Sequence, residues 1–320
     1  MTNEVVKKEP TMAERFVAKV MTGFGTDASE VDLTRFQQRL AQNYCIAIDH
    51  ALKVAEEKRK KKSEKYRDKT PITWTNVDMD KLRDDVISAA RVGLDPAQKN
   101  HVGMMPFKNN TTGKYDIVFI EEYRGIELKA KKYGLDIPDH VIVELVYTTD
   151  HFKSIKKDRN NPYETFEFEV TDDFDRGEIK GGFYYHVFSE NPEKNKLVTF
   201  NLKDILKRKP QRASTEFWGG EKDIWENGEK TGKKEIVDGW YEKMCWKTIY
   251  RAAYSDITID SQKIDSDYMR LKQIESSFKD AEVAGEIEEN ANKEFIDTTA
   301  TVIVDPETPP TDAPEPGPDF

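Results

Sequence analysis

Apolar residues recur at helical spacing through the first part of the chain. Phe16, Val20 and Phe24 form one short stripe, and a longer stripe runs from Leu33 to Ala55. A period of three to four residues is typical of an amphipathic helix that buries one face. The pattern predicts two N-terminal helices, the longer of which continues into the basic block Lys58 to Lys62. This block is either a solvated helix end or a polyanion contact.

A third helix and a hairpin are predicted next. Asn76 is the expected N-cap of a helix that ends at Gly93, because Asn stabilises a first turn and Gly adopts the left-handed conformation after a last turn. The period then changes to that of strands over Met104–Phe107 and Tyr115–Ile120, on either side of the polar segment 108–114. That segment contains Asn and Gly, which favour a hairpin turn.

The rest of the body combines further strands and helices. We predict a helix over Gly125–Tyr133, strands over Val141–Tyr147, Glu164–Val170, Gly182–Phe188 and Leu197–Phe200, helices over Leu202–Arg208 and Gly239–Tyr254, and a polar helix over Lys263–Ala284. Strands flanked by helices in this order predict an α+β fold. We expect a small antiparallel β-sheet packed against helices, with a helical N-terminal region.

The last 40 residues differ in composition from the others. Of the 60 acidic and 50 basic residues, 11 acids and one base lie in residues 281–320, which leaves 49 of each in residues 1–280. Six of the 14 prolines fall between Pro306 and Pro318. This composition predicts a disordered acidic C-terminal tail, either a solubilising tether or a partner-binding segment. The formal net charge of −10 comes from this tail, so it does not exclude a polyanion partner for the body.

Candidate catalytic motifs in the chain are incomplete. Gly228 to Lys234 has three residues between its glycines instead of the four of a phosphate-binding loop, and Lys where Ser or Thr would bind the metal. Asp95, Glu127 and Lys129 are the residue types of a metal-dependent nuclease, but the latter two lie in a predicted helix. The five histidines have no ligand spacing. We therefore predict a protein that is not an enzyme and has no metal or cofactor.

The short apolar runs and the small number of cysteines indicate the cellular location. No run of about 18 apolar residues occurs, so no membrane span is expected. Cys45 and Cys245 are the two cysteines, 200 positions apart, which fits a reducing cytoplasm and core thiols better than a disulfide scaffold.

Basic residues interleaved with aromatic residues form three clusters. One runs from Lys114 through the helix at 125–133, one spans residues 203–212, and one lies on the predicted helix over Gly239–Tyr254. On that helix Lys247 and Arg251 are four residues apart and share a face. Cations combined with aromatic side chains are typical of proteins that bind single-stranded nucleic acid.

The same segments resemble the RecT family of phage and prophage recombinases. The likeness extends over residues 75–254 and rests on the order of segments 89–96 (with Leu-Asp-Pro), 105–107 (Met-Pro-Phe), 122–130 (with Tyr-Arg-Gly), 143–150, 182–185 and 242–251 (with Lys-Thr and Arg). Two departures stand out. Glu122 replaces a glycine of the family motif, and an insert over 221–234 leaves open whether Trp218 or Trp225 matches the family tryptophan.

The resemblance implies an ATP-independent protein that binds and anneals single-stranded DNA and forms rings or helical filaments. Its expected partners are single-stranded DNA, the annealed duplex intermediate, further copies of the chain, a phage exonuclease and a host single-strand binding protein. The setting is the cytoplasm of a bacterial host. A binding protein that protects strands without annealing them is the main alternative, and a metal-dependent nuclease is the weaker one.

Four segments follow from this interpretation. Residues 1–30 are predicted to be an N-terminal helical oligomerisation segment, because their apolar stripe lies outside the sheet. Residues 31–255 are the predicted DNA-annealing core, residues 256–280 a polar helical segment and residues 281–320 the tail. The predicted DNA-binding residues are Lys114, Tyr123, Arg124, Lys129, Lys132, Lys203, Lys207, Arg208, Arg212, Trp218, Lys247, Tyr250 and Arg251. The cations would grip phosphates and the aromatic residues would stack on bases or support the core, a choice left open for Tyr250.

Overall fold

The computed structural model describes residues 10–25, 35–210, 213–226 and 229–277. The predicted tail and Arg212 lie outside the described residues. Of the predicted segment 1–30, the structure describes residues 10–25, which contain one helix. The helices are α1 (Met12–Gly25), α2 (Arg35–Lys61), α3 (Met79–Val92), α4 (Tyr123–Tyr133), α5 (Leu202–Leu206), α6 (Thr215–Trp218), α7 (Tyr241–Ser255) and α8 over residues 266–277. The strands are β1 (Val102–Lys108), β2 (Tyr115–Glu121), β3 (His140–Tyr147), β4 (His151–Ile155), β5 (Thr165–Glu169), β6 (Ile179–Val187), β7 (Lys196–Asn201), β8 (Gly220–Glu226) and β9 (Glu229–Val237).

All of these strand pairs are antiparallel. Strands β3, β6 and β7 form a three-stranded sheet with β6 in the centre, and β1–β2, β4–β5 and β8–β9 form separate pairs. The α+β class with antiparallel sheets packed against helices is confirmed. The single predicted sheet is instead divided into four small ones, because a strand pattern in the sequence does not specify which strands pair.

The first core lies between α1, α2, α3, α8 and the β1–β2 pair. Phe16, Tyr44, Leu82 and Leu94 are among its fully buried side chains. Phe16 and Val20, whose stripe suggested contacts between protomers, are thus already covered within the chain. The oligomerisation role of residues 1–30 stays a prediction, without the exposed apolar stripe that motivated it.

The start of α3 differs from the prediction. Asp78, not Asn76, is the N-cap, and its carboxylate accepts a hydrogen bond from the Lys81 backbone N–H at 3.2 Å. Asn76 ends a short 3-10 turn, where its side chain donates to the Pro71 carbonyl at 2.8 Å. The predicted end of the helix is confirmed, since Gly93 has a left-handed φ of 104°.

Helix α7 covers one face of the three-stranded sheet. Cys245, Ile249 and Ala253 on this helix are fully buried. The close approach requires Gly182 on the central strand, because a Cβ there would collide with the Ile249 side chain. The position of α7 matters for function, since it carries one of the three basic and aromatic clusters.

Two pairs of strands include elements that the sequence pattern did not predict. Strand β4 has few apolar residues, but its Phe152 stacks on Phe183 of the central sheet with 4.7 Å between ring centroids. The β8–β9 pair occupies the insert and is rich in charge, with Lys234 and Glu221 paired at 2.6 Å. Cross-strand pairing of this kind stabilises a hairpin without an apolar alternation.

The C-terminal helix α8 packs into the first core. Residues 256–280 were expected to be a polar helical segment, yet Tyr268, Leu271 and Ile274 of α8 are buried in the first core. Arg270 on the same helix donates to the buried Asp85 of α3 at 2.7 Å. Helix α8 is therefore part of the folded body.

Candidate nucleic-acid interface

An open groove of about 1030 Å³ lies between α7, α6, the β7–α5 region and the start of α4. Five of the thirteen predicted DNA-binding residues line it, namely Tyr123, Arg208, Trp218, Lys247 and Arg251. These residues come from distant parts of the chain, so only the tertiary structure brings them together. The groove combines cations with aromatic side chains on one continuous surface.

The turn that leads from β2 into α4 is fixed by a residue in an unusual conformation. Asn100 has a φ of 64°, in the left-handed region that Asn tolerates better than most residues. Its carbonyl accepts a hydrogen bond from the Arg124 backbone N–H at 3.0 Å, and its side chain donates to the Tyr123 hydroxyl at 3.3 Å. Gly125 approaches the His101 carbonyl so closely that a Cβ would collide with it. The Tyr-Arg-Gly segment is thus held firmly at the groove.

An aromatic cluster joins α4 to α7 beside the groove. The Tyr123 ring lies edge-on to Trp246 and Tyr250, with centroid distances of 5.7 and 5.1 Å. The Tyr250 hydroxyl donates to Glu127 at 2.6 Å, and burial, followed by this hydrogen bond, raises the pKa of Tyr250 above its ordinary value. Of the two open interpretations of Tyr250, these contacts favour a supporting role in the core over stacking on bases.

Four cations lie close to one another beside the groove, and we call Lys99, Arg124, Lys243 and Lys247 the cationic cluster. Of these, Lys247 lines the groove itself. Within the described ranges none of them forms an ion pair with a carboxylate. Burial lowers the pKa of Lys243, and the nearby Lys247, Arg124 and Lys99 lower it further. The ammonium group of Lys243 also lies over the Trp246 ring, 3.7 Å from its centroid. Cations that repel one another in this way are stabilised by a bound anion.

Two members of the cationic cluster, Lys99 and Lys243, were not predicted from the sequence. A signal for Lys243 was present, because it lies four residues before Lys247 and therefore shares its helix face. No comparable signal existed for Lys99, which lies in a loop before β1. Its proximity to α7 is a product of the tertiary structure alone.

The far part of the groove offers arginines and an exposed ring. Arg208 lies 4.9 Å from the centroid of Phe200, and Arg251 donates to the Glu121 carbonyl at 3.1 Å. Trp218 is 7% exposed, whereas its neighbour Phe217, which was not predicted, is 52% exposed. Phe217 therefore presents the freer face to a nucleotide base.

Lys129 requires a correction. It is 6% exposed and forms an ion pair with Glu121 at 2.6 Å. Its ammonium group also lies 5.4 Å from the centroid of Tyr268. A buried and paired lysine does not contact a phosphate on the surface, so Lys129 is a structural residue that links α4 to β2 and α8.

The remaining predicted residues that the structure describes do not line the groove. Lys132 donates to the carbonyls of Arg91 and Val92 at the end of α3. Lys114 lies at the tip of the β1–β2 pair, seven strand residues, or about 23 Å at the usual rise, from the start of α4. The last three are Lys203 and Lys207, which are exposed but do not line the groove, and Arg212, which lies outside the described residues.

Glu122 lines the groove next to Tyr123, at the position where the family motif has glycine. Replacing Glu122 with Gln is expected to raise the affinity for a single-stranded oligonucleotide about threefold, because a negative charge that repels phosphates is removed. Fluorescence anisotropy at fixed salt measures this, with Glu190→Gln, exposed and outside the groove, as control. An unchanged affinity would mean that the phosphates do not pass near Glu122.

The residue types of the nuclease alternative do not converge. Asp95 accepts a hydrogen bond from Asn43 at 3.1 Å, Glu127 pairs with Lys131 at 2.7 Å, and Lys129 is buried as described. Among the described residues there is no group of three or more side chains placed to hold a metal ion. The glycine- and lysine-rich segment that resembles a phosphate loop contributes to strand β9 instead of connecting a strand to a helix.

Comparison with known proteins gives no assignment. No family model, no curated protein and no solved structure matches this chain. The likeness to the RecT family therefore stays a prediction that rests on its motifs. Across the described part of the chain, no helix combines the length and apolar character needed to cross a bilayer.

Proposed function

We propose that this chain binds single-stranded DNA in the groove beside α7 and promotes its annealing to a complementary strand without ATP, a metal or another cofactor. The observation that carries the proposal is that the cationic cluster lies beside an open groove lined by aromatic residues. Within the described residues, no carboxylate forms an ion pair with this cluster. Of the motif residues behind the RecT resemblance, Tyr123, Lys247 and Arg251 line this groove, and the Lys247 ammonium group lies over the Tyr123 ring. In this proposal the chain is not an enzyme.

The groove suits a strand that is held by its backbone. Arg124, Lys243 and Lys247 would contact phosphates and release their counterions, which makes binding strongly dependent on salt. Phe217, which is 52% exposed, would stack on a base, and each stacked base contributes about 1–3 kcal/mol. Tyr123, which is 8% exposed, would support the wall of the groove. Because these contacts use phosphates and ring faces, the pairing edges of the bases stay free to test a second strand.

Annealing of long strands requires several protein copies along one strand. We therefore extend the proposal to a homo-oligomer, as a ring or a helical filament, that also holds the annealed duplex intermediate. The RecT resemblance adds a phage exonuclease and a host single-strand binding protein as further partners, in the cytoplasm of a bacterial host.

Replacing Arg124 and Arg251 together with Ala is expected to slow annealing about tenfold or more, since each charged contact to phosphate contributes on the order of 1.5–3 kcal/mol. The measurement follows two complementary dye-labelled oligonucleotides in EDTA, without nucleotide, at several salt concentrations. Lys153→Ala with Lys180→Ala, two exposed cations outside the groove, is the matched control. Circular dichroism verifies that each variant is folded.

The possible outcomes separate the alternatives. Annealing by the Arg124 and Arg251 variant at the wild-type rate would remove both residues from the site. Binding by the wild-type protein without faster pairing would favour a protective single-strand binding protein. Loss of DNA on addition of Mg²⁺ would favour the nuclease.

A further inference from the structure

A second groove, of about 1110 Å³, lies between α2 and β1 on the first core. Its floor is aliphatic and is formed mainly by Ala47, Ala51, Val54, Met104, Met105 and Pro106. Met105 is 40% exposed. Methionine side chains adapt to the shape of a partner and make favourable contacts with aromatic rings.

The rim of this groove is basic. Five Lys and Arg residues between positions 58 and 67 line it, against two acids, Asp68 and Glu122. Asp68 is already paired with Lys108 at 2.6 Å. Lys58 and Lys62 are exposed and form no ion pair with the carboxylates of the described residues. The groove is therefore complementary to an apolar side chain flanked by negative charges.

The aliphatic floor distinguishes this groove from the candidate DNA-binding groove beside α7. Tyr115 is the one Phe, Tyr or Trp residue that lines it; this residue is 3% exposed, and its hydroxyl donates to the Thr70 carbonyl. The exposed ring among the described lining residues is the imidazole of His50, so this groove offers fewer rings for bases to stack on than the groove beside α7, although stacking is a principal contact in single-strand binding. An acidic protein surface with a projecting apolar residue fits the groove better than a nucleic acid.

The chain itself carries such a surface in the loop between β5 and β6. Phe174 is fully exposed at its tip and is flanked by Asp172, Asp173 and Asp175. The loop is anchored at its base, where Arg176 pairs with Asp150 at 2.6 Å. This anchoring holds the acidic loop at the end of β3, where Arg176 also donates to the Leu145 carbonyl, and no residue of the loop lines the groove of the same chain.

We infer that the acidic loop of one copy docks in the groove between α2 and β1 of a second copy, with Phe174 on the aliphatic floor and the aspartates against Lys58 and Lys62. Such an interface joins two different surfaces, so each copy retains one free loop and one free groove. Interfaces of this type propagate into rings or open filaments. The inference supplies an interface for the homo-oligomer of the proposed function, but it does not depend on nucleic-acid binding, so its failure would leave DNA binding in the groove beside α7 untouched.

The experiment uses the full chain without nucleic acid and follows its mass by light scattering over a concentration series. Phe174→Ser and, separately, Lys58→Glu with Lys62→Glu are each expected to raise the concentration needed for assembly at least about tenfold, because each variant disables one of the two docking surfaces. The matched controls are Ile236→Ser, an exposed apolar residue elsewhere, and Lys60→Glu with Lys61→Glu, which do not line the groove. Both controls are expected to assemble like the wild-type protein.

Mixing the two defective variants gives the decisive result. The Phe174→Ser variant retains an intact groove and the lysine variant retains an intact loop, so an equimolar mixture is expected to form dimers that do not grow further. A mixture that stays monomeric overturns the inference, as does a wild-type protein that never assembles or a Phe174→Ser variant that assembles normally. Failure of the controls to assemble would equally overturn it, by showing that the interface is not specific to these two surfaces.

Discussion

Replacing Lys243 and Lys247 together with Glu is expected to reduce the affinity for a single-stranded oligonucleotide about 100-fold. In the proposed function each of the two cations contacts a phosphate, and such a charged interaction is worth on the order of 1.5–3 kcal/mol. The lowered pKa of Lys243 reflects burial and crowding by neighbouring cations. An anion would relieve that crowding, whereas two glutamates would repel the same phosphates.

The salt dependence of binding provides an independent readout. The slope of log affinity against log salt is expected to fall by about 0.7 for each phosphate that the variant no longer neutralises. Lys203→Glu with Lys207→Glu is the matched variant, since these lysines are also four residues apart and are exposed, but they neither line the groove nor belong to the cationic cluster. It is expected to reduce affinity no more than about threefold. Equal reductions in the two variants would mean that the groove is not the principal binding site.

Replacing Arg270 with Ala is expected to lower the free energy of unfolding by about 3 kcal/mol, and the Tm by roughly 6–12 °C. The change leaves Asp85, which is 2% exposed, as a buried charge without its guanidinium partner. We place the effect at the lower end of the usual range for broken buried pairs because the Arg270 side chain is 33% exposed. Chemical denaturation followed by circular dichroism measures it.

The pH dependence of this variant tests the cause. Burial raises the pKa of Asp85, and Arg270 opposes that shift, so removal of Arg270 raises the pKa further. A carboxyl group whose pKa is higher in the folded state stabilises the fold more as pH falls, because the native protein then binds the extra proton. The deficit of the Arg270→Ala variant is therefore expected to shrink as pH is lowered from neutrality.

Two further substitutions separate the buried charge from a general loss of packing. Lys272→Ala removes a surface pair with Glu275 on the same helix and is expected to cost less than about 0.5 kcal/mol. Adding Asp85→Asn to Arg270→Ala is expected to restore about half of the stability, since the unpaired charge is gone. If the double variant is no more stable than Arg270→Ala, the Asp85 charge is not the cause.

Local periodicity identified most elements of the body. The amphipathic spacing of α2, the left-handed glycine after α3 and the strand character of β1 and β2 are properties of short segments, and each was recovered with small errors at the ends. Strands β4, β8 and β9 were missed because they carry few apolar residues. Strand β4 is stabilised by a distant residue through the stacking of Phe152 on Phe183, and β8 and β9 are stabilised by charged pairs with each other.

The sequence by itself determined the α+β class, the helix faces and the cations of α7 that share one face. It did not determine which charged side chain faces solvent, because helical spacing shows that residues share a face but not what covers that face. Lys129 is buried by Glu121 and Tyr268, and Lys99 joins Lys243 from a separate loop. Only the tertiary structure decided these positions, since they depend on packing between elements far apart in the chain.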